Sequence, residues 1–580
     1  MDVFTRRKAA QAAKLGAQVT SSSPCEADRV LALPKVTAYL TPVTLGSRLR
    51  PGAQPIALRP VQEQALAALA QCGGLLGAIG VGHGKSYIAL LAGAVLDADL
   101  SIVLVAPATV PVMQGLLADL HKRYVLPETL IVSWAKLSQQ DAHALFESWQ
   151  VDGRKVVLVA DEAHFARNAT AARTKRLMGW LAEHSRVKFV ALSGTMTTRR
   201  LVDFAHLSAR ALGDQSPVPR GPTLKVWDAG LANEVLCAAD LSELHKLWAW
   251  GDASKGKTWA VSGRATSLPK DAHQTLVAAF GERLATAPGV VLTQDASCPA
   301  SLYLCELRAQ YSGAAMAGLR VAAERIAQTY RDPEGIELAD DAEVIRTAKR
   351  LSLGYYYFWE WPTGVDREWL DARQAWSRKC RWLIEQYGRE QFDSRGLVER
   401  EATRRLANGS TEQWVRCYAD WVAVRDRAKP VQAVKWVTDD ALRLLVDTAN
   451  LKHPAIVWYE EAAVADKLAE LGVRVIRAGE EVPAKAETLA LSVKSHGAGL
   501  NLQAWSRQVF ACVPANGTLW EQVLGRTHRQ GQTEDEVWAW IPQWSQPLRS
   551  ALTQARRDAA WIETSTSNRQ KLILATVIET

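Results

Sequence analysis

Two stretches of this chain carry residue types in the order that phosphate chemistry needs. In GLLGAIGVGHGKS, from Gly74 to Ser86, an apolar run leads into Gly80, Gly82, His83 and Gly84, then Lys85 and Ser86, then the apolar YIALLAGAVL. Strand, glycine loop, Lys-Ser and helix in that order make a phosphate-binding loop. The glycines let the backbone turn tightly and turn N–H groups toward phosphate oxygens. Lys85 offers a point charge for β- and γ-phosphates, and the Ser86 hydroxyl offers a ligand for Mg2+. Ile79 stands six positions before Lys85, where the general pattern has glycine. The second stretch, VVLVADEAH, ends an apolar run in Asp161 and Glu162. An aspartate at a strand end holds Mg2+, usually through water. The adjacent glutamate orients and deprotonates a water aimed at the γ-phosphate. The plainer reading, two surface acids, fits poorly after a five-residue buried strand.

The elements around these residues read as an open α/β sheet. IVLVAP (Ile102 to Pro107), LIVSWAKLS (Leu130 to Ser138), VVLVADEAH (Val156 to His164) and KFVALSGTM (Lys188 to Met196) are runs apolar on both faces, as central parallel strands are. Ligands bind such sheets at the carboxyl ends of strands, where Ser193, Gly194 and Thr195 also gather. A helix begins at ALRPVQEQALAALA and carries Arg59 and Gln62. A glutamine amide offers a donor and an acceptor to an adenine edge; a solvated helix start is an equal alternative on position alone. From about Leu201 to Asn450 the chain reads as mostly helical. There a cluster from Tyr355 to Trp382 mixes aromatics with Arg367, Arg373, Arg378 and Arg381. Trp369, Trp376 and Trp382 fall near helical spacing on one face, which favours a helical core over a base-stacking platform. The arginines then face water or pair with Glu368 and Asp371. Near Pro454 strand and helix alternate again, and the tail reads as an amphipathic terminal helix.

GHGKS, DEAH and SGT, in that order on apolar strands, resemble the first motor lobe of a superfamily-two helicase. SHGAGLNLQAW (Ser495 to Trp505) and EQVLGRTHRQGQ (Glu521 to Gln532) resemble motifs five and six of its Swi/Snf-like branch. The resemblance spans roughly Leu58 to Leu207 and Val431 to Thr533. It implies two RecA-like lobes, mostly parallel sheets with helices on both faces, plus a largely helical insertion. The expected division is an accessory segment 1–55, a first lobe 56–210, an insertion 211–430 and a second lobe 431–580. By the same resemblance Arg526 and Arg529 reach the phosphates bound on Lys85, Gln62 reads adenine, and Gln522 joins the nucleotide site. An arginine finger on a transferring phosphoryl group is worth about 10³–10⁵ in rate. A solvated helix start is the rival for this pair. Thr195 would couple nucleotide state to a nucleic-acid path, and His164 fits a lobe-coupling role beside the alternative of a satisfied buried histidine. Pro107, Thr109, Ser133, Ser495, Gly497 and Asn501 would touch a nucleic-acid backbone, a grip that reads no sequence.

The resemblance therefore implies an ATPase using Mg2+ to move along or remodel DNA, duplex or branched. The alternatives are an RNA-directed helicase or polymerase-recycling factor, and a non-hydrolysing scaffold. Bulk composition agrees with this reading without demanding it. The 580 residues suffice for several domains, and a hydrophobic fraction of 48% supports a buried core. A net charge of +8 permits an acidic polymer as partner. Eight scattered cysteines form no C-x-x-C, so a reduced compartment without structural metal is expected. No secretory signal or membrane span is read; a cytoplasmic monomer, from a bacterium or phage-infected cell, is the expectation.

Overall fold

The computed structural model describes the chain apart from residues 1–25, 40–44, 81, 140–141, 170, 195–199, 235, 237, 252–267, 294–297, 309–313, 339–340, 362–363, 392–394, 428–429, 498–499, 567 and 580. The fold is α/β, with two RecA-like lobes. Contacts divide the chain into one unit of residues 1–295 with 561–569, and another of residues 296–560 with 570–580.

The first unit is built on β1 (Leu75–Ala78), β2 (Leu100–Val105), β3 (Glu128–Ser133), β4 (Val156–Asp161), β5 (Lys188–Ser193) and β6 (Val290–Leu292). They pair in parallel in the order β3-β2-β4-β5-β1-β6. Every residue of β1, β2 and β4 is buried, as expected where helices cover both faces. Alternation along each strand sorts side chains onto two cores. Leu75, Val103, Val157 and Val190 join the core that holds the loop helix, Lys85–Val95. Leu76, Ile102, Leu158 and Phe189 join the other, with Trp227, Leu244 and Phe280 from later helices.

The second unit carries β7 (Ser301–Leu307), β10 (Ile456–Tyr459), β11 (Arg474–Ile476), β12 (Leu489–Ser492), β13 (Arg507–Phe510), β14 (Glu536–Pro542) and β15 (Thr576–Glu579). Their order is β11-β12-β10-β13-β14-β7-β15, again all parallel. A separate antiparallel ribbon pairs β8 (Tyr355–Glu360) with β9 (Val431–Trp436). Between those strands lie the helices Arg367–Gln391, Arg395–Ala407 and Gln413–Arg425.

Three expectations are corrected. The segment 211–430 is no single insertion: β6 completes the first sheet and β7 enters the second, so the lobe boundary falls near residue 295. The short runs VVL and SLYLCEL carried that signal, but stood among helices. The tail does not end as a helix; its helix stops at Thr566, and β15 follows beside β7. Third, the Trp face is only partly core. Trp369 and Trp376 are buried, whereas Trp382 is 44% exposed. A helix returns to the same face after seven residues and again after fourteen, so Leu383 fills the third position at 1% exposed. The small core there is Trp376, Cys380, Leu383, Val398, Ala402 and Tyr418. The arginines are mostly tied to acids: Arg373 to Glu343, and Arg378 and Arg381 to Glu337. Among the described residues no helix is long and apolar enough to cross a membrane.

Trp376→Ala should cost about 3–5 kcal/mol of unfolding free energy, while Trp382→Ala should stay within about 0.5 kcal/mol. Urea titration of both variants checks this, and the reverse ranking would refute the assignment of the helical core.

Candidate active site

The loop after β1 is held by its neighbours before any ligand is considered. The helix Pro60–Cys72 starts just after Arg59, whose guanidinium donates to the Gly82 carbonyl at 2.6 Å. Gln62 is 3% exposed and engaged at both ends. Its Oε1 accepts from the Arg59 N–H at 2.9 Å, and its Nε2 donates to the carbonyls of His83 (3.2 Å) and Gly84 (3.1 Å). Gly82 and Gly84 have φ of +89° and +74°, a region that disfavours a side chain. A Cβ on Gly84 would lie 2.1 Å from Gln62 Nε2. At the loop's entrance the Gly80 N–H donates to Thr293 Oγ1 at 3.1 Å, just beyond β6.

Lys85 opens the loop helix and is 9% exposed. Its Nζ donates to the carbonyls of Ile79 (3.1 Å) and Gly80 (3.4 Å) and lies 3.9 Å from Glu162 Oε1. Ser86 follows in the first helical turn. Asp161 ends β4 and is buried; burial and then the neighbouring Glu162 push its carboxyl well above the usual range, against the pull of Lys85. Two carboxyls crowd one ammonium in a site of low polarity, and a nearby divalent cation would favour the ionised form of both.

Glu162 has φ of +54°, a left-handed turn that costs a non-glycine residue about 1–3 kcal/mol and is common at functional sites. The turn ends the strand and sets the carboxylate between two partners, Lys85 and His164. The His164 Nδ1 lies 3.3 Å from Glu162 Oε2 and 3.1 Å from Ser193 Oγ, at the end of β5. One ring nitrogen thus joins the acidic strand end to the Ser193-Gly194 turn. Trp134 donates its indole N–H to the Asp161 carbonyl at 2.8 Å, pinning the same strand end from β3's side. Thr195 lies outside the described residues.

The other strand-end residues of this unit are less committed. Pro107 is exposed and begins a turn after β2; the Thr109 hydroxyl donates to the Ala106 carbonyl at 2.8 Å. Ser133 Oγ accepts from the Ala135 N–H and caps the turn after β3. Both sit at carboxyl ends of strands in the same sheet as Lys85.

In the second unit the arginine-bearing helix Gly517–Thr527 is buried along most of its length and is capped by Asn516. Arg526 is 5% exposed. Its Nε donates to the Gly497 carbonyl at 2.9 Å and the Gln522 carbonyl at 3.2 Å, and its Nη1 to the Leu500 carbonyl at 3.2 Å. Arg529, beyond the helix end and half-buried, donates to Asn501 Oδ1 at 2.6 Å. The Ser495 to Trp505 segment and the Glu521 to Gln532 segment therefore interlock through both arginines. Gly497 is required there, since a Cβ would stand 2.2 Å from the Val493 carbonyl oxygen. Ser495 is half-buried and Gln522 buried. The two arginines differ in kind: Arg526 braces one segment on the other, and Arg529 keeps its guanidinium partly in solvent.

Sequence reasoning missed Thr293, Trp134 and Asn568, whose amide donates to the Gly194 carbonyl at 2.9 Å. Thr293 and Trp134 follow the ends of β6 and β3, and Asn568 follows the terminal helix, so none is marked by a spacing to the residues it meets.

No protein-family model matches the chain, and no curated protein matches it.

Because Gln62 is spent on the loop backbone, Gln62→Ala should weaken ATP and GTP analogues alike, by about fivefold or more. Binding titrations with fluorescent analogues test this; a loss confined to the adenine nucleotide would make Gln62 a base reader instead.

Proposed function

We propose that the chain is an ATP-driven nucleic-acid motor of the Swi/Snf-like helicase and translocase kind, working in the cytoplasm on duplex or branched DNA. The observation that carries the reading is one constellation in the first unit. A phosphate-loop lysine, the buried Asp161 and the half-buried Glu162 meet at the carboxyl ends of β1 and β4, and His164 ties the glutamate to Ser193 at the end of β5. A nucleotide-dependent motor needs such a link, because hydrolysis must be felt beyond the phosphates.

In this reading the loop N–H groups and Lys85 bind the β- and γ-phosphates of ATP. Ser86 and Asp161 hold Mg2+; their hard oxygen donors fit it, and it supplies charge neutralisation at the phosphates. Glu162 orients the attacking water and accepts its proton. Arg529 of the second unit supplies transition-state charge, and Arg526 keeps the segment that presents it in shape. Hydroxyls and backbone at Thr109, Ser133, Ser495 and Asn501 hold a nucleic-acid backbone without reading sequence.

Three variants sort the roles. Lys85→Ala should remove measurable nucleotide binding. Glu162→Gln should keep ATP bound while lowering turnover by about 10²–10⁴. Arg529→Ala should spare ATP affinity and lower turnover by about 10³ or more. Steady-state hydrolysis and nucleotide titrations give all of these; an equal loss of affinity and turnover in Arg529→Ala would contradict a finger role.

The experiment that tests the reading as a whole compares ATP hydrolysis with no nucleic acid, blunt duplex, forked and branched DNA, single strands and RNA. Stimulation by duplex or branched DNA is expected. Stimulation by RNA alone would make the chain an RNA-directed helicase, and no hydrolysis under any condition would make it a scaffold.

A further inference from the structure

The end of the chain serves both units. Residues 546–560 of the terminal helix belong to the second unit, residues 561–569 to the first, and residues 570–580 to the second again. The excursion into the first unit is well anchored. Trp561 donates its indole N–H to the Leu231 carbonyl at 3.1 Å, and Ile562 is 1% exposed within the first unit's core. Asn568, 4% exposed, ends the excursion beside the nucleotide loop. Its Nδ2 donates to the Gly194 carbonyl, next to Ser193 that contacts His164, and its Oδ1 stands 3.2 Å from where a Cβ on Gly80 would be. One amide therefore bonds the Ser193-Gly194 turn and lies beside Gly80 of the phosphate loop.

Three residues later the chain is anchored in the second unit, on the arginine-bearing helix. The Lys571 N–H donates to Glu521 Oε2 at 2.7 Å, and Lys571 Nζ lies 3.3 Å from His528 Nδ1. His528 is 1% exposed, and its Nε2 donates to the Ala300 carbonyl at 2.7 Å. Burial first and Lys571 second push its pKa down to about 4, so it stays neutral and accepts from the lysine. Glu521 and His528 bracket Gln522 and Arg526 in sequence, and Arg529 follows His528 directly. The lysine thus grips the helix end that carries both arginines.

We infer that residues 568–571 form a coupling strap, in which Asn568 senses the state of the phosphate loop and the Ser193-Gly194 turn, and Lys571 passes it to the arginine-bearing helix. Asn568 is a positioning residue in this scheme. Three residues of chain span at most about 10 Å, so neither anchor shifts far without drawing on the other. The inference rests on the ATP-hydrolysing reading, and its test separates the two.

Hydrogen exchange is followed with and without a non-hydrolysable ATP analogue and Mg2+. The wild type is compared with Asn568→Ala and with a chain carrying two glycines inserted between Arg569 and Gln570, which leaves both anchors intact. In the wild type the analogue should slow exchange in residues 79–86 and also in residues 517–530. The lengthened chain should keep protection at 79–86 and lose it at 517–530. With duplex DNA its ATP KM should stay within about threefold of the wild type while stimulation of turnover falls at least about fivefold, and Asn568→Ala should follow the same split. If the lengthened chain protects 517–530 and responds to DNA as the wild type does, the strap is overturned, whatever Asn568→Ala does. If the analogue slows exchange at neither segment in the wild type, the nucleotide reading itself falls and takes the strap with it.

Discussion

The buried charge group at the carboxyl ends of β1 and β4 is the constraint on which the first unit turns. Lys85 and Glu162 are each largely out of water, and Asp161 beside them is buried. Such groups are costly to bury unless each has a partner. The protein supplies partners in layers: loop carbonyls and Glu162 for Lys85, and His164 for the other oxygen of Glu162. A largely apolar parallel sheet beneath makes the burial possible. β2, β4 and β5 tolerate few polar side chains along their lengths, so the polar groups collect where the strands stop. Burial and the neighbouring Glu162 together hold the Asp161 carboxyl above its usual range.

The same logic organises the second unit differently. There a buried guanidinium, Arg526, is met by three backbone carbonyls. Carbonyl partners fix geometry strongly because they belong to the backbone. The Gly497 segment and the arginine-bearing helix consequently behave as one piece, and Arg529 projects from that piece with its Nη1 on Asn501. The two arginines therefore differ: Arg526 stiffens the element from within, and Arg529 bonds a side chain at its edge.

Much of this was legible in the residues. The glycine loop, the Asp-Glu strand end and the alternation of apolar runs are local patterns, and local patterns survive being read one window at a time. The strands β1 to β5 and β10 to β14 are where those patterns lie. What was not legible depends on long-range pairing. β6 and β7 stand in a mostly helical stretch, outside either run of alternating strands and helices, yet each pairs into a sheet and together they move the lobe boundary. Trp382 was misplaced because a spacing of six was read with one of seven; the two lie about 100° apart on a helix, and Leu383 takes the inward position. Asn568 bonds a carbonyl 374 positions away, and no spacing rule connects such residues. Gln62 has the chemistry of a base reader but is used by the loop; a side chain's capability does not reveal which of its possible partners is nearest.

The proposed function requires that Lys85, Glu162 and Arg529 all act on one nucleotide. The most direct measurement uses an ATP analogue with a photoreactive group on its terminal phosphate, cross-linked to the full chain with Mg2+ and duplex DNA present, followed by peptide mapping. A shared site predicts labelled peptides from residues 79–86 and from residues 521–532 in the same sample. Label confined to the first unit, with and without DNA, would contradict it.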